Sequence, residues 1–260
     1  MRVLVLGDII GKPGRMSLRD ELQALIKDNA VDFVIANGEN AAGGIGIDPK
    51  TSDFLLGLGI DVLTTGNHVY KKRDIYNYIE DNERLLKPAN FPPSTPGRGF
   101  GIYEVFERKI AVINLCGRVF IGELDCPFRV IDDVLKKIGK ETRNIVVDFH
   151  AEVTSEKIAM GWYLDGRVSA VLGTHTHVQT ADEKILPHGT AYITDIGMVG
   201  PQDSVIGVRK ELIIERFKTQ MPQKFIVAKD DIWLNGVIIE IDDKSGKAIN
   251  IKRLNYQLSS

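Results

Sequence analysis

Two histidines one residue apart, His175 and His177 in the run Gly173-Thr174-His175-Thr176-His177, form the densest concentration of metal-binding chemistry in this chain. They follow the apolar stretch 168–172, which reads as a short buried strand. In extended backbone, residues two apart point to the same side, so both imidazoles would aim at one spot past the strand's carboxyl end. Neutral imidazole is the commonest side-chain metal ligand, and a pair presets part of a coordination geometry. Alone, the motif reads equally well as two surface histidines on a polar turn.

The neighbouring elements decide between these readings. Residues 3–6 are a continuous apolar run, as expected of a central strand covered on both faces, and Asp8 follows. A strand over 31–36 leads to Glu39 and Asn40, one over 60–63 to Asn67 and His68, and one over 145–149 to His150. Four of the five histidines stand at such ends, and only His188 stands apart. The carboxyl ends of strands form the site-bearing edge of α/β folds, so these residues are expected to converge at one edge of one sheet. Singly, Asp8 could cap a helix, Asn67 could serve a turn and His150 could be a satisfied core histidine. Jointly they point to a site.

Helical patterns separate the strands. Leu18, Leu22, Leu25 and Ile26 mark one, starting near Pro13 or Ser17, and Asp48-Pro49 caps another bearing Phe54, Leu55 and Leu58. Residues 71–80, 130–138 and 158–164 continue the period. The alternation of strand and helix predicts an α/β fold with right-handed crossovers. Residues 102–106 and 110–115 read as a hairpin around Glu107-Arg108-Lys109, and the last third turns β-rich at 190–194, 225–227, 233–241 and 248–254. No linker divides residues 1–260, which read as one domain.

The 33 Lys+Arg nearly cancel the 35 Asp+Glu, which argues against a basic field for coating nucleic acid. Cys116 and Cys126 are too few for a disulfide framework. The apolar start meets Asp8 without a cleavage site, and no apolar run approaches membrane-spanning length, so a cytoplasmic protein is expected. A P-loop is excluded because the spacing of Gly7 and Gly11 and the residue after Lys12 do not match. A dinucleotide fingerprint is missing after the first strand.

Carboxylate, amide oxygen and imidazole without thiolate suit iron, manganese or zinc. Seven or eight such groups are too many for one ion and fit two, and two divalent ions would keep the cluster cationic toward an anionic phosphate.

The motif series Gly7-Asp8, Gly38-Glu39-Asn40, Gly66-Asn67-His68, His150 and Gly173 to His177 resembles that of calcineurin-like metallophosphoesterases. More closely, GDIIGKPGR at 7–15, NGENAAGG at 37–44, TGNHV at 65–69, DFHAE at 148–152 and GTHTHVQTAD at 173–182 resemble the bacterial YmdB-like branch. The likeness continues through residues 192–198 and covers nearly the whole chain. Ile10 stands where the broad superfamily has a histidine, and Glu39 where it has a bridging aspartate, as in that branch.

The resemblance implies mixed β-sheets sandwiched between helices, with a dimetal site at the carboxyl-terminal strand ends. It implies that Asp8, Glu39, Asn40 and His177 hold one ion, and that Glu39, as the bridge, with Asn67, His150 and His175 holds the other. The ions would be divalent or mixed-valence, iron first and manganese second. It further implies hydrolysis of small phosphodiesters, notably 2′,3′-cyclic nucleotides, by a metal-bridged hydroxide. His68, beside Asn67 but outside the ligand set, is then the expected proton donor. The rivals are a phosphomonoesterase or nuclease on the same centre, and a metal-dependent regulatory protein with incidental turnover. The expected partner is a small molecule, with no membrane or stable nucleic-acid association; a homo-oligomer is left open.

Overall fold

The computed structural model describes residues 1–258. The chain opens with β1 (Arg2–Leu6), β2 (Asp8–Ile9), α1 (Gly11–Asp28), β3 (Phe33–Asn37), α2 (Pro49–Gly57), β4 (Val62–Thr64) and α3 (Ile75–Asp81). A hairpin of β5 (Phe100–Val105) and β6 (Arg108–Cys116) leads into α4 (Pro127–Ile138), β7 (Ile145–His150), α5 (Thr154–Leu164) and β8 (Ala170–Thr174). The remainder holds β9 (Lys184–Ile185), β10 (Ala191–Ile193), β11 (Met198–Pro201), α6 (Lys210–Thr219), β12 (Ile232–Ile241) and β13 (Ala248–Gln257).

These strands build two mixed sheets, so the expectation of a single sheet edge is corrected. One sheet runs β2-β11-β12-β1-β3-β4 with β13 against β12; the other runs β5-β6-β7-β8-β10-β9. In the first, β1, β3 and β4 are parallel and β12 is antiparallel to β1. In the second, β6, β7, β8 and β10 are parallel. The period of two explains the stacking. On β1, Val3 and Val5 meet Val112, Val146 and Leu172 of the other sheet, while Leu4 and Leu6 face Leu18 and Leu22 of α1. On β7, Val146 lies between the sheets, while Val147 and Phe149 pack with Ile131 of α4 and Met160 of α5. The order is helices, sheet, sheet, helices. A strand apolar on both faces announces burial but not its partners, which is why the sequence did not divide the sheets.

One helix start carries a clear local signal. Asp48 Oδ1 accepts the Thr51 N–H at 2.8 Å and caps α2, with Pro49 in its first turn. Helix α1 starts at Gly11 instead of Pro13 or Ser17; Pro13 fits the first turn, where its missing N–H costs no helical bond. The expected helix over 71–80 begins only at Ile75. Helix α6 escaped detection because Ile213 is its single buried residue, whereas Ile214 and Phe217 are exposed and blur the period. Residues 225–227 form no strand: Val227 makes one isolated bridge to Val208, and Phe225 and Ile226 remain exposed. Among the described residues no helix is long and apolar enough to cross a membrane.

Candidate metal centre

Strand ends from both sheets deliver the expected residues to one place. Asp8 opens β2 directly after β1; Glu39 and Asn40 follow β3, and Asn67 and His68 follow β4. His150 is the last residue of β7, and His175 and His177 follow β8. The register pairs His150 with Thr174, which sets the two strand ends side by side. Asp8, Glu39, Asn40 and His150 are buried, while His68 keeps 26% of its side chain exposed.

The donors separate into two groups that share Glu39. In one, His150 Nε2 lies 3.2 Å from Glu39 Oε1, 3.0 Å from His175 Nδ1 and 3.1 Å from Asn67 Oδ1. Donor atoms of Glu39, His150 and His175 all fall within 4.8 Å of one another, a group able to hold a metal ion. In the other, His177 Nε2 lies 3.6 Å from Asp8 Oδ1 and 3.2 Å from Asn40 Nδ2, which also donates to Glu39 Oε1 at 3.2 Å. His68 Nδ1 sits 2.9 Å from Asn40 Oδ1 and 3.2 Å from Glu39 Oε1.

The backbone that produces this division is not extended. His175 has φ +98° and His177 has φ +63°, a region sparsely populated by residues with side chains. The expectation that both imidazoles share one side because they are two apart is therefore overturned: the strand has ended, and the rings part toward different carboxylates.

Buried polar residues that the motif reading passed over hold the bend in place. Asp195 Oδ2 accepts the Thr176 N–H at 3.1 Å and its hydroxyl at 2.7 Å, and pairs with Lys157 Nζ at 2.6 Å. Its other oxygen takes the Gly197 N–H at 2.8 Å, and the Gly197 carbonyl accepts from Asp8 N at 3.1 Å. One carboxylate thus ties the histidine loop to the Asp8 strand. Asp148, between strands, accepts from Asn37, Thr64 and Thr174, and Thr174 Oγ1 lies 3.0 Å from His150 Nδ1. Its position two residues before His150 was the available signal: alternation puts both on one face of β7.

The imidazoles of His150, His175 and His177 thus each have one nitrogen engaged outward and the other directed into the cluster of donors. His150 uses Thr174, His177 Nδ1 meets the Ile206 carbonyl at 2.9 Å, and His175 Nε2 meets Glu152 Oε2 at 2.9 Å. This is the outer support that orients metal-binding histidines. Gly66 adds another indication, because a Cβ there would collide with Glu39 Oε2 and His150 Nε2. So does Asp8 Oδ1, a buried carboxylate oxygen with no hydrogen-bond partner. The donor set fits divalent metal ions. Asn40 is the exception in detail: its amide presents nitrogen to Glu39 and His177, and an oxygen ligand there requires the amide to turn over, an exchange of similar-sized groups.

Electrostatics agree. Burial opposes ionisation of Glu39, but the charge and hydrogen bond of His150, with His68, hold its carboxyl well below the usual range. Burial alone would depress His150; Glu39, Asp8 and Asp148 outweigh it and raise the imidazole to about 9. Burial and the adjacent His150 push His175 down to about 3. Asp8 is lowered against its burial by His177, which Asp8 raises in turn. Burial pushes the Asp148 carboxyl up to about 6. A proton on His150 thus balances the Glu39 carboxylate, and a bound cation would displace it.

Comparison with known proteins gives the same direction. The chain is 49% identical over 254 residues to the 2′,3′-cyclic-nucleotide 2′-phosphodiesterase of Bacillus subtilis (strain 168), covering 98% of this chain and 96% of that protein. A hypothetical protein from Thermus thermophilus superposes with a TM-score of 0.93 at 40% identity over all of both chains. A Mycoplasma pneumoniae protein described as a novel phosphatase superposes with the same score at 36% identity, over 99% of this chain and 93% of that one. Residues 4–254 match the family model described as YmdB-like protein, and the chain belongs to that family.

Proposed function

We propose that this chain is a metal-dependent phosphodiesterase that converts small phosphodiesters, 2′,3′-cyclic nucleotides foremost, into monophosphates. The observation that carries the reading is the pair of donor groups opposed across Glu39, with inward nitrogens of His150, His175 and His177 and the unpartnered oxygen of Asp8. In this reading Asp8, Glu39, Asn40 and His177 hold one ion, and Glu39, Asn67, His150 and His175 hold the other. Two such ions, iron or manganese, supply Lewis acidity toward the phosphoryl oxygens and activate water for attack on phosphorus.

The chain's own residues supply the rest. The P–O bond to the ribose breaks as water's oxygen bonds to phosphorus, and the leaving oxygen needs a proton. His68 provides it: Asn40 and Glu39 hold its Nδ1, its ring is partly open to solvent, and Nε2 remains for proton delivery. The His68 N–H, 3.1 Å from Glu39 Oε2, fixes the loop that carries it. The relative from Bacillus subtilis supports the substrate class by its name, and the substrate is a small molecule met by one cytoplasmic domain.

The Mycoplasma pneumoniae neighbour, described as a phosphatase, favours a monoester reading of the same centre. Metal analysis of protein purified without added metal, followed by assay on a 2′,3′-cyclic nucleotide beside a simple phosphomonoester, separates the two. The expected result is two ions per chain and preference for the diester. One ion or none, with no diester turnover on reconstitution, refutes the proposal.

A further inference from the structure

Glu152 closes the DFHAE motif and takes no part in the ligand set. It lies two residues beyond His150, its side chain is 48% exposed, and its Oε2 meets His175 Nε2 at 2.9 Å. The opposite nitrogen of the same ring, His175 Nδ1, is 3.0 Å from His150 Nε2. A solvent-facing carboxylate therefore stands one imidazole's width from the point where the donors converge. Among the described residues, no lysine or arginine pairs with it.

Negative charge at the mouth of a site for anions weakens binding, so its effect is selective: it penalises the more highly charged ligand more. We propose that Glu152 is a specificity-determining residue that admits singly charged phosphodiesters and disfavours doubly charged phosphomonoesters, the reaction product included. The inference rests on the phosphodiesterase reading and deepens it. A diester carries one negative charge, whereas a monoester loses a second proton near pH ~6 and is largely a dianion at neutral pH. Hydrolysis exchanges a P–O–C linkage for an ionisable P–O–H, so the product gains the charge that Glu152 repels. At this exposure one additional unit charge is worth a factor of about two to five.

Glu152→Gln tests this, because the amide keeps an oxygen acceptor for His175 Nε2–H while removing the charge. Wild type and variant, both reconstituted with metal and checked for metal content, are compared on 2′,3′-cyclic AMP and 4-nitrophenyl phosphate. Adenosine 3′-monophosphate serves as inhibitor in the same assays. The expected outcome is a kcat/KM ratio of monoester to diester raised about two- to fivefold, with the inhibition constant lowered by a similar factor and metal content as in wild type. An unchanged ratio and inhibition constant overturn the proposal. So does loss of metal from the variant, which would make Glu152 a positioning residue for His175 alone. If wild type itself fails to turn over the cyclic nucleotide, the phosphodiesterase reading falls; if it does so normally and only the ratio stays put, Glu152 alone is wrongly assigned.

Discussion

The two donor groups that meet at Glu39 are built differently. The His150 group centres on one strand end: His150 closes β7, Thr174, itself bonded to Asp148, holds its Nδ1, and three donors crowd its Nε2 within 3.0–3.2 Å. The Asp8 group is looser, with 3.6 Å between His177 Nε2 and Asp8 Oδ1 and an amide nitrogen turned inward. His177 hangs on a bent loop and the Ile206 carbonyl. The wider spacing, and an amide that must turn over to offer oxygen, leave the Asp8 group less preorganised, so it is expected to bind its ion more weakly.

Glu39→Gln makes the widest break in that comparison, since Glu39 belongs to both groups. Loss of both ions and a fall in turnover of about 10³-fold or more are expected, read by metal analysis and kinetics; retention of one ion would show that Glu39 does not bridge. His68→Ala should slow turnover about 10²–10⁴-fold with metal content intact. Metal loss there would make His68 a ligand.

The two histidines of the opening motif then separate the groups. His177→Ala should weaken the ion beside Asp8, and His175→Ala the ion beside His150 and Asn67, by about 10- to 100-fold in affinity. If both variants empty the same position, the division is wrong. The smallest effect concerns pH. His150 is raised to about 9 from its ordinary 6.5, so its protonated pairing stabilises the metal-free protein fully below pH 6.5 and is lost as pH rises through 9. Metal uptake must displace that proton, so affinity for the His150 group should rise with pH up to about 9 and level off; calorimetric titration across that range should show proton release on binding. Affinity independent of pH would contradict the protonated pair.

The strand-end residues expected to converge do come close together, because each followed an apolar run and strand ends are where a sheet exposes side chains to a common space. The helix capped by Asp48 and the 102–115 hairpin were legible for similarly local reasons. Helix α6, with one buried residue, had no local signature, and neither did the division into two sheets.

The sequence by itself determined which chemical groups this protein concentrates: two carboxylates, two amides and four imidazoles at strand ends. Only the tertiary structure decided how they are shared. The left-handed turns at His175 and His177 are unfavourable locally and exist because Thr176 is held by Asp195, itself paired with the buried Lys157 of α5. Those contacts span 19 and 38 residues, and no pattern within the motif encodes them.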